Sequence, residues 1–95
     1  MHISELQHVL AERYLEKDAK MGELFLLAVL IEEVGELAKA VRYHEGVDEE
    51  VADVVFVCIC LANLLGVDVE DALSQRYVSR SFDEVSKSWG DVSWR

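Results

Sequence analysis

Apolar positions recur at three- and four-residue intervals along most of the chain, and strand alternation is nowhere sustained. Leu6, Val9, Leu10 and Tyr14 form one stripe, which predicts a first helix capped at Ser4, with Gln7 as capping-box partner, and ending near Asp18. Gly22 weakens continuity before a longer second helix, from about Glu23 to about Tyr43. Gly46 breaks the pattern again, Asp48 is suited to cap a third helix running to Leu65, and Gly66 is a natural stop. Asp68, followed by Asp71, opens a fourth helix through Ala72, Leu73 and Tyr77 and on to Val85. Gly90 ends it and leaves Asp91 to Arg95 as a loose tail. The β-branched run Val54 to Ile59 could suit a strand, but its length and context favour a buried helix. With no proline, repeat or low-complexity segment to mark a linker, the expectation is one all-α domain over residues 1–95, a bundle of four to five helices.

A chain of 95 residues has a modest core of its own, yet 52% of this one is hydrophobic. Val51 to Leu65 is apolar nearly all round, unlike a surface helix, so a subunit interface is the simplest place for it. The expected assembly is a dimer or a dimer of dimers through the second and third helices. The formal net charge of −10 excludes nucleic-acid binding by a basic surface, because too few Lys and Arg are present to displace counterions from a phosphate backbone. The first residues lack the charged and apolar regions of a signal peptide, and the apolar runs are too short or interrupted to span a bilayer. A soluble cytoplasmic protein is expected. Cys58 and Cys60 point to different sides of one helix, which disfavours a disulfide between them and predicts two reduced core residues.

Two acidic clusters stand inside these apolar stretches: Glu32, Glu33 and Glu36 in the second helix, Glu50 and Asp53 in the third. At 100° per residue the first three share an arc of about 100°, and the other two lie about 60° apart. A short turn through Gly46 makes the helices antiparallel neighbours, and the helical rise then brings Glu36 and Asp53 to about the same level. Acidic pairs on helices are commonly solvated faces, but Asp53 is the one charge between Val51 and Ala62, a run that does not read as a solvated face. Carboxylates gathered in this way repel one another unless a cation joins them. Their all-oxygen donor set suits Mg²⁺, with Mn²⁺ as a substitute, rather than zinc or copper.

The pattern EExGE, thirteen intervening residues and ExxD, followed by VVFVCICLANLLGVDVEDAL, resembles the MazG-like all-α nucleoside triphosphate pyrophosphohydrolases. The resemblance covers roughly Leu27 to Leu73. It implies a MazG-like helical bundle that hydrolyses a nucleoside triphosphate (NTP or dNTP) between the α and β phosphates, giving the monophosphate and pyrophosphate in nucleotide-pool housekeeping. It further implies that Glu33, Glu36, Glu50 and Asp53 hold Mg²⁺, and that Glu32 with Glu33 positions or deprotonates the attacking water. The basic residues that reach phosphates in that family match Arg76 and Arg80 imperfectly; these stand four apart, on one face of a continuous helix. The related phosphoribosyl-ATP pyrophosphohydrolases typically carry a Lys ahead of the first motif and a Tyr-His pair after the second, where this chain has Val29 and Phe56-Val57. A non-catalytic helical module that binds metal structurally is the alternative from another class.

The remaining candidates are weaker. Lys39 follows Glu36 by one turn and is expected to pair with it, and Gly35 to allow close helix approach. Glu5 and His8 have the spacing of di-iron bundle ligands, but such a site needs a second copy that the chain lacks. Phe25, Tyr43, Trp89 and Trp94 are candidates for stacking on a base, though aromatic residues at helix ends more often pack at interfaces.

Overall fold

The computed structural model describes residues 1–89. It is all-α, with α1 (Ile3–Met21), α2 (Glu23–Tyr43), α3 (Val47–Leu65), α4 (Val69–Leu73) and α5 (Phe82–Ser86). A π-helical turn (Ser74–Val78) continues α4, and a short 3-10 turn (Lys87–Trp89) follows α5. The central element is α3, which packs along α2 on one side and α1 on another. The run Val54 to Ile59 is helical, as its context predicted.

Chain reversal between α2 and α3 takes three residues. His44 and Gly46 both adopt left-handed backbone, at φ 53° and 67°, and the Glu45 N–H donates to the Ala40 carbonyl at 3.1 Å. The turn is short enough for antiparallel neighbours, and α2 and α3 do pack side by side. Gly22, at φ 94°, turns the chain from α1 into α2.

Helix starts depart from the sequence expectation. The first is capped by His2, whose N–H donates to Glu5 Oε1 at 3.2 Å; Ser4 lies inside the first turn, its N–H directed to Glu70 Oε1 at 3.4 Å. Gln7 is therefore not a capping partner but a buried residue between α1 and α3. The helix also continues beyond Asp18 to Met21. Asp48 is not the cap of α3, which begins directly after Gly46; it sits in the first turn with Glu49 and Glu50, where negative charge complements the helix dipole. Asp68 caps α4 as expected, its side chain accepting from the Asp71 N–H at 3.0 Å.

The fourth helix does not reach Val85 unbroken. It widens after Leu73, with the Ser79 N–H donating to the Ser74 carbonyl at 2.9 Å, and stops before Ser81. Ser81 starts α5 through a reciprocal box: its Oγ accepts from the Glu84 N–H at 3.2 Å and its N–H donates to Glu84 Oε1 at 3.1 Å. The Glu84 carboxylate accepts from the Ser81 N–H and from the Ser81 hydroxyl, each at 3.1 Å, and these bonds hold its carboxyl below the usual range. The expected tail, together with Trp94, lies outside the described residues.

The core is thin. Leu26, Ala40, Val57, Ile59, Cys60, Ala62 and Val85 are buried, and an edge-to-face contact between Tyr14 and Phe56, centroids 5.0 Å apart, joins α1 to α3. The Cα radius of gyration is 15.4 Å, against about 12 Å for a compact domain of this length. Apolar surface is left open on α2, where Leu24, Leu27, Ile31, Val34, Ala38 and Val41 follow one another in alternating steps of three and four residues. Leu24 is 77% and Ile31 67% exposed. Val51, Val55, Cys58 and Leu65 extend this open surface to α3. The third helix is thus buried on one side only, and Cys58, expected in the core, is exposed; Cys60 is buried, and both thiols are free. Gly35 is exposed too, and a Cβ there would meet nothing within 4 Å, so no close approach within the chain requires it. Among the described residues no single helix is long and apolar enough to cross a membrane.

Candidate metal centre

The α2–α3 hairpin brings Glu33 from one helix against Glu50 and Asp53 from the other, and one carboxylate oxygen of each lies within 4.8 Å of the other two. Two features of the sequence place them there. Helical periodicity turns Glu33 toward α3 and Glu50 and Asp53 toward α2, and the three-residue turn sets the register. Glu33 and Glu50 are half-buried, and Glu50 Oε2 is out of reach of solvent with no hydrogen-bond partner.

Charge in this cluster is uncompensated. Desolvation, followed by repulsion from Asp53, Glu50, Glu32 and Glu36, raises the Glu33 carboxyl above its ordinary value of 4.5. Glu50 is raised in the same way, by desolvation and then by Asp53, Glu36 and Glu49. Lys39 is the one group acting on Glu50 in the opposite sense. Three carboxylates, one of them (Glu50) with a buried and unpartnered oxygen, fit a hard divalent cation, which would remove their mutual repulsion.

Asp53 itself is exposed, contrary to the expectation that its apolar run could not be a solvated face. Its proximity to two half-buried carboxylates, rather than its own burial, makes it part of a cation site. Glu36 is exposed and outside the tight triad, though close enough to act on both Glu33 and Glu50. Glu32 is exposed as well and acts on Glu33. The expected Lys39–Glu36 ion pair does not form; among the described residues the one pair within 4.0 Å joins His8 Nε2 to Glu12 Oε1 at 2.9 Å, which also gives His8 a partner other than Glu5.

Arg76 and Arg80 do not share the face of one helix. Arg76 lies in the π-helical turn, 5.7 Å from the Tyr77 ring centroid, and Arg80 follows it in the bend, where its Nη2 donates to the Glu84 carbonyl at 3.0 Å. Among the aromatic candidates Trp89 packs edge-on against Phe82 at 5.7 Å, and Phe25 is exposed on α2. Tyr43 lines a recess of about 180 Å³ with Glu36, Lys39, Ala40, Glu45 and Glu50. Sequence reasoning did not connect Lys39, Tyr43 and Glu45 with Glu50. For Lys39 and Tyr43 the signal was present, since both continue the helical face of Glu36 by steps of three and four; for Glu45, in the turn, there was none.

The MazG nucleotide pyrophosphohydrolase domain matches residues 21–81, a segment that contains both acidic clusters. The chain belongs to the MazG family. Within the relatives of this MazG chain, the uncharacterized protein YpjD of Bacillus subtilis is 37% identical over 68 residues, covering 59% of this chain and 61% of that protein. The dATP/dGTP diphosphohydrolase of Cyanophage S-2L is 49% identical over 47 residues, covering 50% of this chain and 43% of that protein. The chain thus spans less than two thirds of the length of either relative.

Proposed function

We propose that this chain is a Mg²⁺-dependent nucleoside triphosphate pyrophosphohydrolase that releases the monophosphate and pyrophosphate. The convergence of Glu33, Glu50 and Asp53 within a MazG domain carries this reading. These three residues would hold Mg²⁺, or Mn²⁺ in its place, with Glu36 completing the set from one turn further along α2. Bound there, the cation would neutralise the triphosphate, lower the pKa of a coordinated water and stabilise charge at the reacting phosphorus.

The residues divide the remaining work. Glu32 lies on α2 beside Glu33, exposed and outside the triad, where it is available to orient a water or accept its proton. Glu33, next to it in the chain and within the triad, shares in positioning that water. Arg76 and Arg80 are candidate phosphate contacts only if the π-helical turn and the bend after it rearrange. The exposed seam of α2, continued on α3, would be covered by a second copy, giving a homodimer or a dimer of dimers. Its three-four spacing is that of helices that pack against each other along their length, which supports this assembly. Removal of unwanted nucleotides in the cytoplasm is the corresponding role.

A panel of NTPs and dNTPs with Mg²⁺ and a pyrophosphate readout tests the proposal. The name of the cyanophage relative places dATP and dGTP first in that panel. Pyrophosphate release that stops on adding EDTA is the expected result, and no release from any nucleotide would sink the reading.

A further inference from the structure

A Lys or Arg beside the metal would strengthen the hold on a polyanion, and the α2–α3 hairpin offers few such residues. No Lys or Arg occurs in α3, and α2 has only Lys39 and Arg42. Arg42 is engaged with its neighbour, its guanidinium carbon 5.5 Å from the Tyr43 ring centroid. The two arginines expected at the phosphates belong to the π-helical turn and the bend beyond it.

Lys39 stands differently. It lines the recess of about 180 Å³ whose other walls include Glu36, Tyr43 and Glu50. Glu50 belongs both to this recess and to the carboxylate triad, so recess and candidate metal centre are continuous. Among the described residues the Lys39 ammonium group has no ion pair within 4.0 Å. A lysine on a flexible four-carbon stem with three donors can turn to a phosphate at little cost.

We infer that Lys39 is the phosphate-binding cation of this site: it shares a recess with Glu50 and turns from there to a phosphate of the bound triphosphate. The inference rests on the triphosphate reading above and adds the residue that receives the polyanion. The triad carboxylates would hold Mg²⁺ or Mn²⁺, whose charge beside Glu50 would leave the Lys39 ammonium group to the phosphates.

This dual role sets two measurable effects of opposite sign. Removing a positive charge beside Glu50 strengthens the attraction of the carboxylates for a cation, and removing a phosphate contact weakens nucleotide binding. Titration of Mn²⁺ alone into nucleotide-free Lys39→Met is expected to give binding roughly 2- to 5-fold tighter than in the wild type. Binding of a non-hydrolysable triphosphate analogue with saturating Mn²⁺ is expected to weaken by roughly 10-fold or more, and Lys39→Arg to retain most of it. Unchanged analogue binding in Lys39→Met would overturn the inference, as would weaker binding of both metal and analogue, which marks a structural role. A wild type that binds no analogue overturns it as well. A wild type that binds the analogue but releases no pyrophosphate defeats the enzymatic reading alone, and the Lys39 comparison still decides.

Discussion

Gln7 of α1 and Asn63 of α3 are joined twice: Gln7 Nε2 donates to Asn63 Oδ1 at 2.9 Å, and Asn63 Nδ2 donates to the Gln7 carbonyl at 3.1 Å. The same Gln7 amide reaches the chain beyond α3, donating to the Val67 carbonyl at 2.7 Å and accepting from the Val69 N–H at 3.0 Å. One side chain thus ties the first helix to the third and to the start of α4. Gln7→Leu leaves the Val69 N–H, the Val67 carbonyl and the Asn63 amide short of partners. The expected loss is about 2–4 kcal/mol of unfolding free energy, read as a lower midpoint in urea with an unchanged slope.

Asp53→Asn and Glu50→Gln each remove one carboxylate from the triad while keeping its shape. Metal binding and pyrophosphate release are expected to be lost in both variants, with helical circular dichroism retained. Metal-free protein should also melt at a higher temperature than the wild type, since the repulsion acting on Glu33 and Glu50 is relieved. A lower melting temperature in both would contradict the strained cluster.

Through Glu33 and Glu50, acid should favour the metal-free fold and disfavour the metal. Glu33 and Glu50 are raised above their ordinary 4.5, so between that value and their raised ones the folded chain holds more protons than the unfolded chain. Stability from these groups is therefore fully present below about pH 4.5 and is lost as pH rises through their raised values. Cation binding has the reverse dependence, because the ligands must ionise first. Calorimetry across this window is expected to find proton release on Mn²⁺ binding, and melting midpoints that respond to the metal more strongly at neutral than at acid pH.

The two cysteines should report on fold and assembly separately. Burial and the neighbouring Asp18 carboxylate raise the Cys60 thiol to about 11, so a thiol reagent at pH 8 should leave it unmodified until the protein unfolds. Cys58 is exposed in the chain described here, beside Val51 and Val55. If a second copy covers this face, Cys58 labelling slows as protein concentration rises, and Ile31→Glu, which puts a charge in the α2 seam, restores it. Light scattering should then find a monomer for Ile31→Glu; labelling independent of concentration would remove the assembly from the proposal.

The periodicity of α2 and α3 was legible because a 21-residue and a 19-residue helix, each with many apolar positions and bounded by glycine, present a pattern too long to mistake. The region after Leu73 was less so. Tyr77 and Val85 keep a helical interval across Arg80, and that interval concealed the Ser81–Glu84 box that starts a new helix. Gln7 misled in the opposite direction: near a serine it reads as a capping partner, and nothing local reveals that its partners are Asn63, Val67 and Val69.

By itself the sequence determined that Glu32, Glu33 and Glu36 share one helical arc, that Glu50 and Asp53 share another, and that a tight turn sets these arcs side by side. Those are consequences of 3.6 residues per turn and of chain connectivity, both local. Tertiary structure alone decided that Glu33, Glu50 and Asp53 form the tight set, that Asp53 stays open to solvent and that Lys39 shares a recess with Glu50. The reason is rotational: how far each helix turns about its own axis depends on which apolar side chains of α1, α2 and α3 interlock, and a rotation of a few tens of degrees exchanges one carboxylate for its neighbour.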